Sequence, residues 1–114
     1  MLRLIAAVFL GVWATGAAAQ GCQEIRFDRG MSSGEVSGQV THGQPMCFTF
    51  GSGAGQTARL QLTGSDNACF TITDVIDCQT DFSFTTQLQT YTVNVYQLLR
   101  SMASEQFTLR LAIQ

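Results

Sequence analysis

Two segments near the C-terminus carry large apolar residues at every second position, and no other feature narrows the fold so far. In Tyr91-Thr92-Val93-Asn94-Val95-Tyr96 and in Phe107-Thr108-Leu109-Arg110-Leu111-Ala112-Ile113 the period is two, the spacing of a strand that buries one face. Both are core strands. Consecutive in the chain, they read as a rigid hairpin whose connection, residues 97–104, keeps Leu98, Leu99 and Met102 where solvent is expected. Apolar anchors beside an arginine are what interface centres are enriched in. Leu98, Leu99, Arg100, Ser101 and Met102 are therefore the candidate binding residues, with Tyr96 on the outward parity extending the patch. The competing fate for these leucines is a plug folded back over one end of the core.

The same period recurs upstream. Ile25-Arg26-Phe27 reads as a short strand over residues 24–27, and residues 36–40 as a weaker, polar one suited to a sheet edge. Cys47-Phe48-Thr49-Phe50 places two phenylalanines on one face, residues 58–62 alternate with Arg59 and Gln61 outward, and Asp81-Phe82-Ser83-Phe84 begins another strand. Turn-forming clusters recur about every 8 to 12 residues, as in sandwiches and barrels. No segment after residue 19 has helical periodicity. The pattern predicts one all-β domain, a two-sheet antiparallel, jelly-roll-like sandwich of about eight or nine strands.

Met1-Leu2-Arg3, an apolar run from Leu4 to Trp13, and Ala17-Ala18-Ala19 have the layout of a secretory signal. Cleavage is expected after Ala19, leaving residues 20–114 as the single domain. The run is shorter than the ~20 apolar residues that cross a bilayer, so no membrane association is expected once it is removed. Ala19-Gln20-Gly21-Cys22 loosely matches a bacterial lipoprotein site as well, but acylated Cys22 would leave three cysteines, an odd set.

Export makes Cys22, Cys47, Cys69 and Cys78 two disulfides, and localisation is expected to be periplasmic or secreted. Of three possible pairings, Cys69 with Cys78 is favoured. Residues 68–72 and 75–78 look like arms of a hairpin turning at Thr73-Asp74, which sets the sulfurs opposite one another. Cys22 then joins Cys47. There is no C-x-x-C pair and His42 is the sole histidine, so a zinc site is a poor reading.

Several chemistries are excluded by what the chain lacks. Without Arg3 it has five arginines and no lysine against eight acids, a formal charge of −3, which offers no basic patch for nucleic acid or anionic lipid. Partners are expected to be neutral or basic proteins. His42 lies in a turn with no nucleophile motif around it and is read as a solvated turn residue. The glycines at 51, 53 and 55 lead into a strand, with no Gly-Lys-Ser/Thr following, so they read as a hairpin connection. Asp74, Asp77 and Asp81 lack calcium-loop spacing, and Asp74 and Asp81 are read as turn residues whose side chains bond nearby backbone. No catalytic residue, metal or cofactor is assigned, and the protein is not expected to be an enzyme.

Taken in order, Ile25-x-Phe27-x-x-Gly30, Val36-x-Gly38, Cys47-Phe48-x-Phe50, Gly55-Gln56, Phe70-x-Ile72, Tyr91-x-Val93-x-Val95-Tyr96, Leu99-Arg100-Ser101 and Phe107-x-Leu109 resemble the periplasmic inhibitors of g-type and i-type lysozymes. The likeness spans nearly the whole chain after the leader, and the Val-Tyr strand leading into Leu-Arg-Ser is its distinctive part. Pre-peptidase C-terminal domains are similar more distantly, through the Gly-Gln connection and the Tyr-x-Val-x-Val strand. The resemblance implies a β-sandwich that blocks a basic lysozyme by placing loops in its substrate groove, here residues 98–102 and a second segment, residues 85–90. Relatives carry a Ser-Gly turn before the tyrosine where this chain has Gln87-Leu88-Gln89-Thr90, and arginines where it has Met102-Ala103-Ser104. The more distant likeness implies a structural or carbohydrate-binding accessory module instead.

Overall fold

In the computed structural model, which describes residues 21–27 and 29–114, the alternating segments from residue 36 onward become strands. In chain order the strands are β1 (Gln23–Glu24), β2 (Ser33–Val40), β3 (Met46–Ser52), β4 (Thr57–Thr63), β5 (Ala68–Ile72), β6 (Ile76–Gln79), β7 (Asp81–Thr85), β8 (Gln89–Gln97) and β9 (Glu105–Ile113). They form two sheets, one ordered β1-β3-β8-β5-β6 and the other β2-β9-β4-β7. This is the two-sheet sandwich that the turn spacing predicts, and β2 takes the edge position expected of its polar sequence. The predicted leader and its cleavage site lie outside the described residues.

Inward-facing residues of the two sheets interdigitate in one core. Phe48, Phe50, Phe70, Val93 and Val95 come from the five-stranded sheet and Leu60, Leu109 and Leu111 from the other, all almost fully buried. Phe50 lies opposite Tyr91 in the β3–β8 register and the rings stack at 5.3 Å, while Phe84 from the other sheet meets Tyr91 edge-on at 5.1 Å. One aromatic cluster thus joins both layers. Both disulfides form as predicted, Cys22 with Cys47 and Cys69 with Cys78.

Several expectations are corrected. β8 and β9 are not a hairpin: they belong to different sheets, and residues 98–104 cross from one to the other. The glycine-rich connection after β3 crosses the sandwich in the same way. Strands consecutive in the chain pair only at β5–β6, so every other link between described strands is an arch. The alternation reveals which face of a strand is buried, but the inner faces of both sheets carry the same pattern. The first strand is shifted as well: it covers Gln23–Glu24 and runs parallel to β3. Ile25 still donates to the Thr49 carbonyl at 2.8 Å, and the chain then crosses β2, where a Cβ on Gly34 would come within 2.5 Å of the Arg26 carbonyl oxygen.

Candidate functional site

β2, β4 and β8 all end at one pole of the sandwich, so the connections 41–45, 64–67 and 98–104 converge there. Leu98 is 48 % exposed, Leu99 73 % and Met102 fully so. These side chains do not plug the core. Apolar groups are held in water by the backbone beneath them, which is tied down at several points. Leu98 donates its N–H to the Asn67 carbonyl at 3.1 Å. The Asn67 side chain then brackets the next residue, accepting from Leu99 N–H at 2.8 Å and donating to the Leu99 carbonyl at 2.9 Å.

The inward parity of β8 ends on a polar residue, Gln97, which is buried. Its Nε2 donates to the carbonyl of Val40 at 3.3 Å and to that of Ala103 at 2.8 Å. One amide from the five-stranded sheet therefore secures both the last residue of β2 and the far side of the loop. Ser101 accepts the Ala103 N–H at 3.2 Å and shapes the turn, and Thr41 and Ser104 hydroxyls meet at 3.0 Å. Arg100 Nε donates to His42 Nε2 at 3.2 Å, so His42 is not merely solvated but braces the loop's one cation.

Not all predicted residues gather here. Tyr96 is half-buried on the outer face of the five-stranded sheet, opposite Cys69, and its hydroxyl meets Thr71 Oγ1 at 2.9 Å. Thr71 Oγ1 also accepts the Cys78 N–H at 3.2 Å. The Tyr96 hydroxyl is thus committed to the cystine hairpin. The second expected contact segment, residues 85–90, sits at the opposite pole, because β8 lies between it and residues 98–104 and its nine residues span roughly 27 Å. There, buried Thr86 donates to the Gly53 carbonyl at 2.7 Å and Gln87 N–H bonds the Tyr91 hydroxyl at 2.8 Å, leaving Leu88 80 % exposed. The two segments cannot share one small epitope.

Among the described residues no three His, Cys, Asp or Glu side chains come together as metal ligands. Asp74 occupies its turn with a φ of 66°. Asp81 does not serve a turn: it forms a two-pronged pair with Arg59, Nε to Oδ1 at 3.0 Å and Nη2 to Oδ2 at 2.8 Å, which holds its carboxyl below the ordinary range mainly through those hydrogen bonds. Asn67 and Gln97 are the site residues that sequence reasoning missed. A polar residue continuing the buried parity of Tyr91, Val93 and Val95 was a usable signal for Gln97; Asn67 is hidden in an ordinary Gly-Ser-Asp-Asn turn.

The sequence matches no protein-family model and no curated protein sequence. Among solved structures the fold resembles PliG, a periplasmic inhibitor of g-type lysozyme, from Aeromonas hydrophila, with a TM-score of 0.70 and 22 % identity over 82 % of this chain and 96 % of that one. It also resembles PliG from Salmonella Typhimurium, with a TM-score of 0.66 and 15 % identity over 83 % and 100 % of the two chains. The pre-peptidase C-terminal domain of a Bacillus anthracis collagenase superposes with a TM-score of 0.58 and 10 % identity over 87 % and 100 %. At these identities the fold is what is shared.

Proposed function

We propose that this chain is a non-catalytic, exported binding protein of the lysozyme-inhibitor type, contacting its target through Leu98, Leu99, Arg100 and Met102. Ser101 shapes that loop, and Tyr96, committed to the cystine hairpin, stays outside the contact. The observation that carries the reading is the combination of exposure with restraint: apolar side chains project from a backbone fixed by Asn67 and Gln97. Such a surface is costly to leave in water and needs little ordering on association. The two disulfides and the periplasmic setting of the PliG proteins support an exported location. An acidic domain would be steered toward a basic lysozyme.

Inhibition of purified g-type, i-type and c-type lysozymes by the oxidised domain tests this directly. Submicromolar inhibition of one class is the expected outcome, on the order of affinities that standard interfaces reach. Failure against all three classes removes the inhibitor reading. The accessory-module reading, supported by the collagenase-domain likeness, then stands first.

A further inference from the structure

Among the described strands, β1, β6, β2 and β7 lie at sheet edges. An edge strand is a template for a further strand unless it is short, bulged, charged or interrupted by proline. β1 has two residues, β6 has four in an irregular register against β5, and β7 has five and opens on Asp81. β2 lacks these protections. It runs for eight residues in unbroken register against β9 and contains neither proline nor lysine. Its single charge, Glu35, is paired with Arg110 at 3.6 Å.

The register fixes which backbone groups of β2 are free. Ile113 donates to the Ser32 carbonyl at 2.8 Å, and this pair continues the β2–β9 ladder by one step. Antiparallel pairs alternate between bonded and non-bonded. Gly34, Val36, Gly38 and Val40 therefore exchange bonds with β9, while Glu35, Ser37 and Gln39 turn their N–H and C=O groups away from it. These three residues are exposed, and among the described residues no hydrogen bond reaches their outward backbone groups. Nearer Ser33 the edge is crossed by Arg26, beside Gly34.

We infer that β2 pairs with β2 of a second copy of this chain, antiparallel about a two-fold axis at Ser37, joining two four-stranded sheets into one. The strand is complementary to itself in this register. Ser37 exchanges bonds with Ser37 of the second copy and Glu35 with its Gln39, so no like charges stand opposite. Val36 faces Gly38, where no side chain opposes it. So short an edge buries less than a standard interface, and the Kd should be on the order of 100 µM. The axis sends the two poles carrying residues 98–102 to opposite ends of the shared sheet, and both stay open. The inference stands on the register of β2, whatever those residues bind.

Sedimentation equilibrium of the oxidised domain from about 5 µM to about 1 mM, with amide hydrogen exchange at both ends of that range, tests it. A monomer is expected at the low end and mostly dimer at the high end. Exchange at Glu35, Ser37 and Gln39 should slow about threefold or more with concentration, while Val36 and Gly38 are protected throughout. Ser37→Pro removes the central outward N–H and spares every β2–β9 bond, at the cost of the 3.0 Å contact between the Ser37 and Thr108 hydroxyls. That variant should remain monomeric at about 1 mM. Should it fail to fold, the exchange rates of the unaltered chain decide alone. A domain monomeric at the high end, a dimer with unchanged exchange at those three amides, or a folded proline variant that dimerises as strongly overturns the inference.

Discussion

Asn67 treats Leu99 as a neighbouring strand would, accepting from its N–H and donating to its carbonyl at 2.8 and 2.9 Å. The restraint comes from outside the loop. Asn67 ends the β4–β5 connection, and its own N–H bonds Ser65 Oγ at 2.9 Å, so the position of the leucines is inherited from a second arch. A side-chain amide supplies here what the missing strand pairing would have supplied.

Replacing Asn67 with alanine removes both bonds while leaving the apolar surface intact. Each exposed bond contributes roughly 0.5 kcal/mol, the low end for a hydrogen bond, so the melting temperature should fall by about 4–8 °C. Hydrogen exchange at the Leu99 amide should accelerate at least tenfold, and affinity for an inhibited lysozyme should drop about tenfold as the loop must then be ordered on binding. Unchanged exchange would mean that Gln97 and Ser101 hold the loop without it.

The double substitution Leu99→Ala, Arg100→Ala separates binding from folding. Leu99 is 73 % exposed and Arg100 is exposed as well, so stability should change by about 0.5 kcal/mol or less. Partner binding should be abolished. Calorimetry alongside the lysis assay checks both halves; a stability loss as large as the loss of binding would place these residues in the core.

Stability should depend on acid through Asp81. Arg59 lowers its carboxyl pKa from the ordinary 3.8 in the folded chain. The folded state therefore holds the ionised form more strongly than the unfolded state does. The resulting stabilisation is present above pH 3.8 and disappears as pH falls further, through the depressed value. Asp81→Asn should flatten that part of the melting-temperature profile below pH 4 while leaving the slope at neutral pH unaltered. Identical acid profiles for both proteins would show the pair to be fully screened by solvent.

The disulfide between Cys22 and Cys47 closes the longer loop, 25 residues apart against 9 for Cys69 and Cys78. Chain entropy alone makes the longer bridge worth about 3.5 kcal/mol. Substituting both Cys22 and Cys47 with serine should lower unfolding stability in urea by about that amount and free the first strand, exposing the bond after Arg26 to trypsin under native conditions. Persistence of the trypsin-resistant form would show that Ile25, buried at 4 % exposure, anchors the segment unaided.

How much of this was legible in the sequence depends on what a periodic pattern encodes. Alternation locates the strands and tells Val93 and Val95 from Thr92 and Asn94, because a strand has only two faces. It also places Cys69 and Cys47 on outward parities, and the β5–β6 turn brings Cys69 near Cys78. It does not say which sheet a strand enters. Tyr91 and Leu109 are buried by the same core from opposite sides, so a hairpin and an arch look alike until the connection is seen. The candidate loop was legible through Leu98, Leu99 and Met102, whereas its restraint was not: Asn67 and Gln97 act over separations of 32 and 57 residues, beyond any local signal.

The arches have a consequence for how the molecule comes into being. β9 lies between β2 and β4, and β2 has no other strand neighbour, so the four-stranded sheet stays incomplete until its final nine residues arrive. Assembly by successive hairpins is closed to a chain whose sheet partners are this far apart, and contact formation at such separations is slow. The order of strands thus makes β9 the element for which the whole four-stranded sheet waits, since it alone joins β2 to β4.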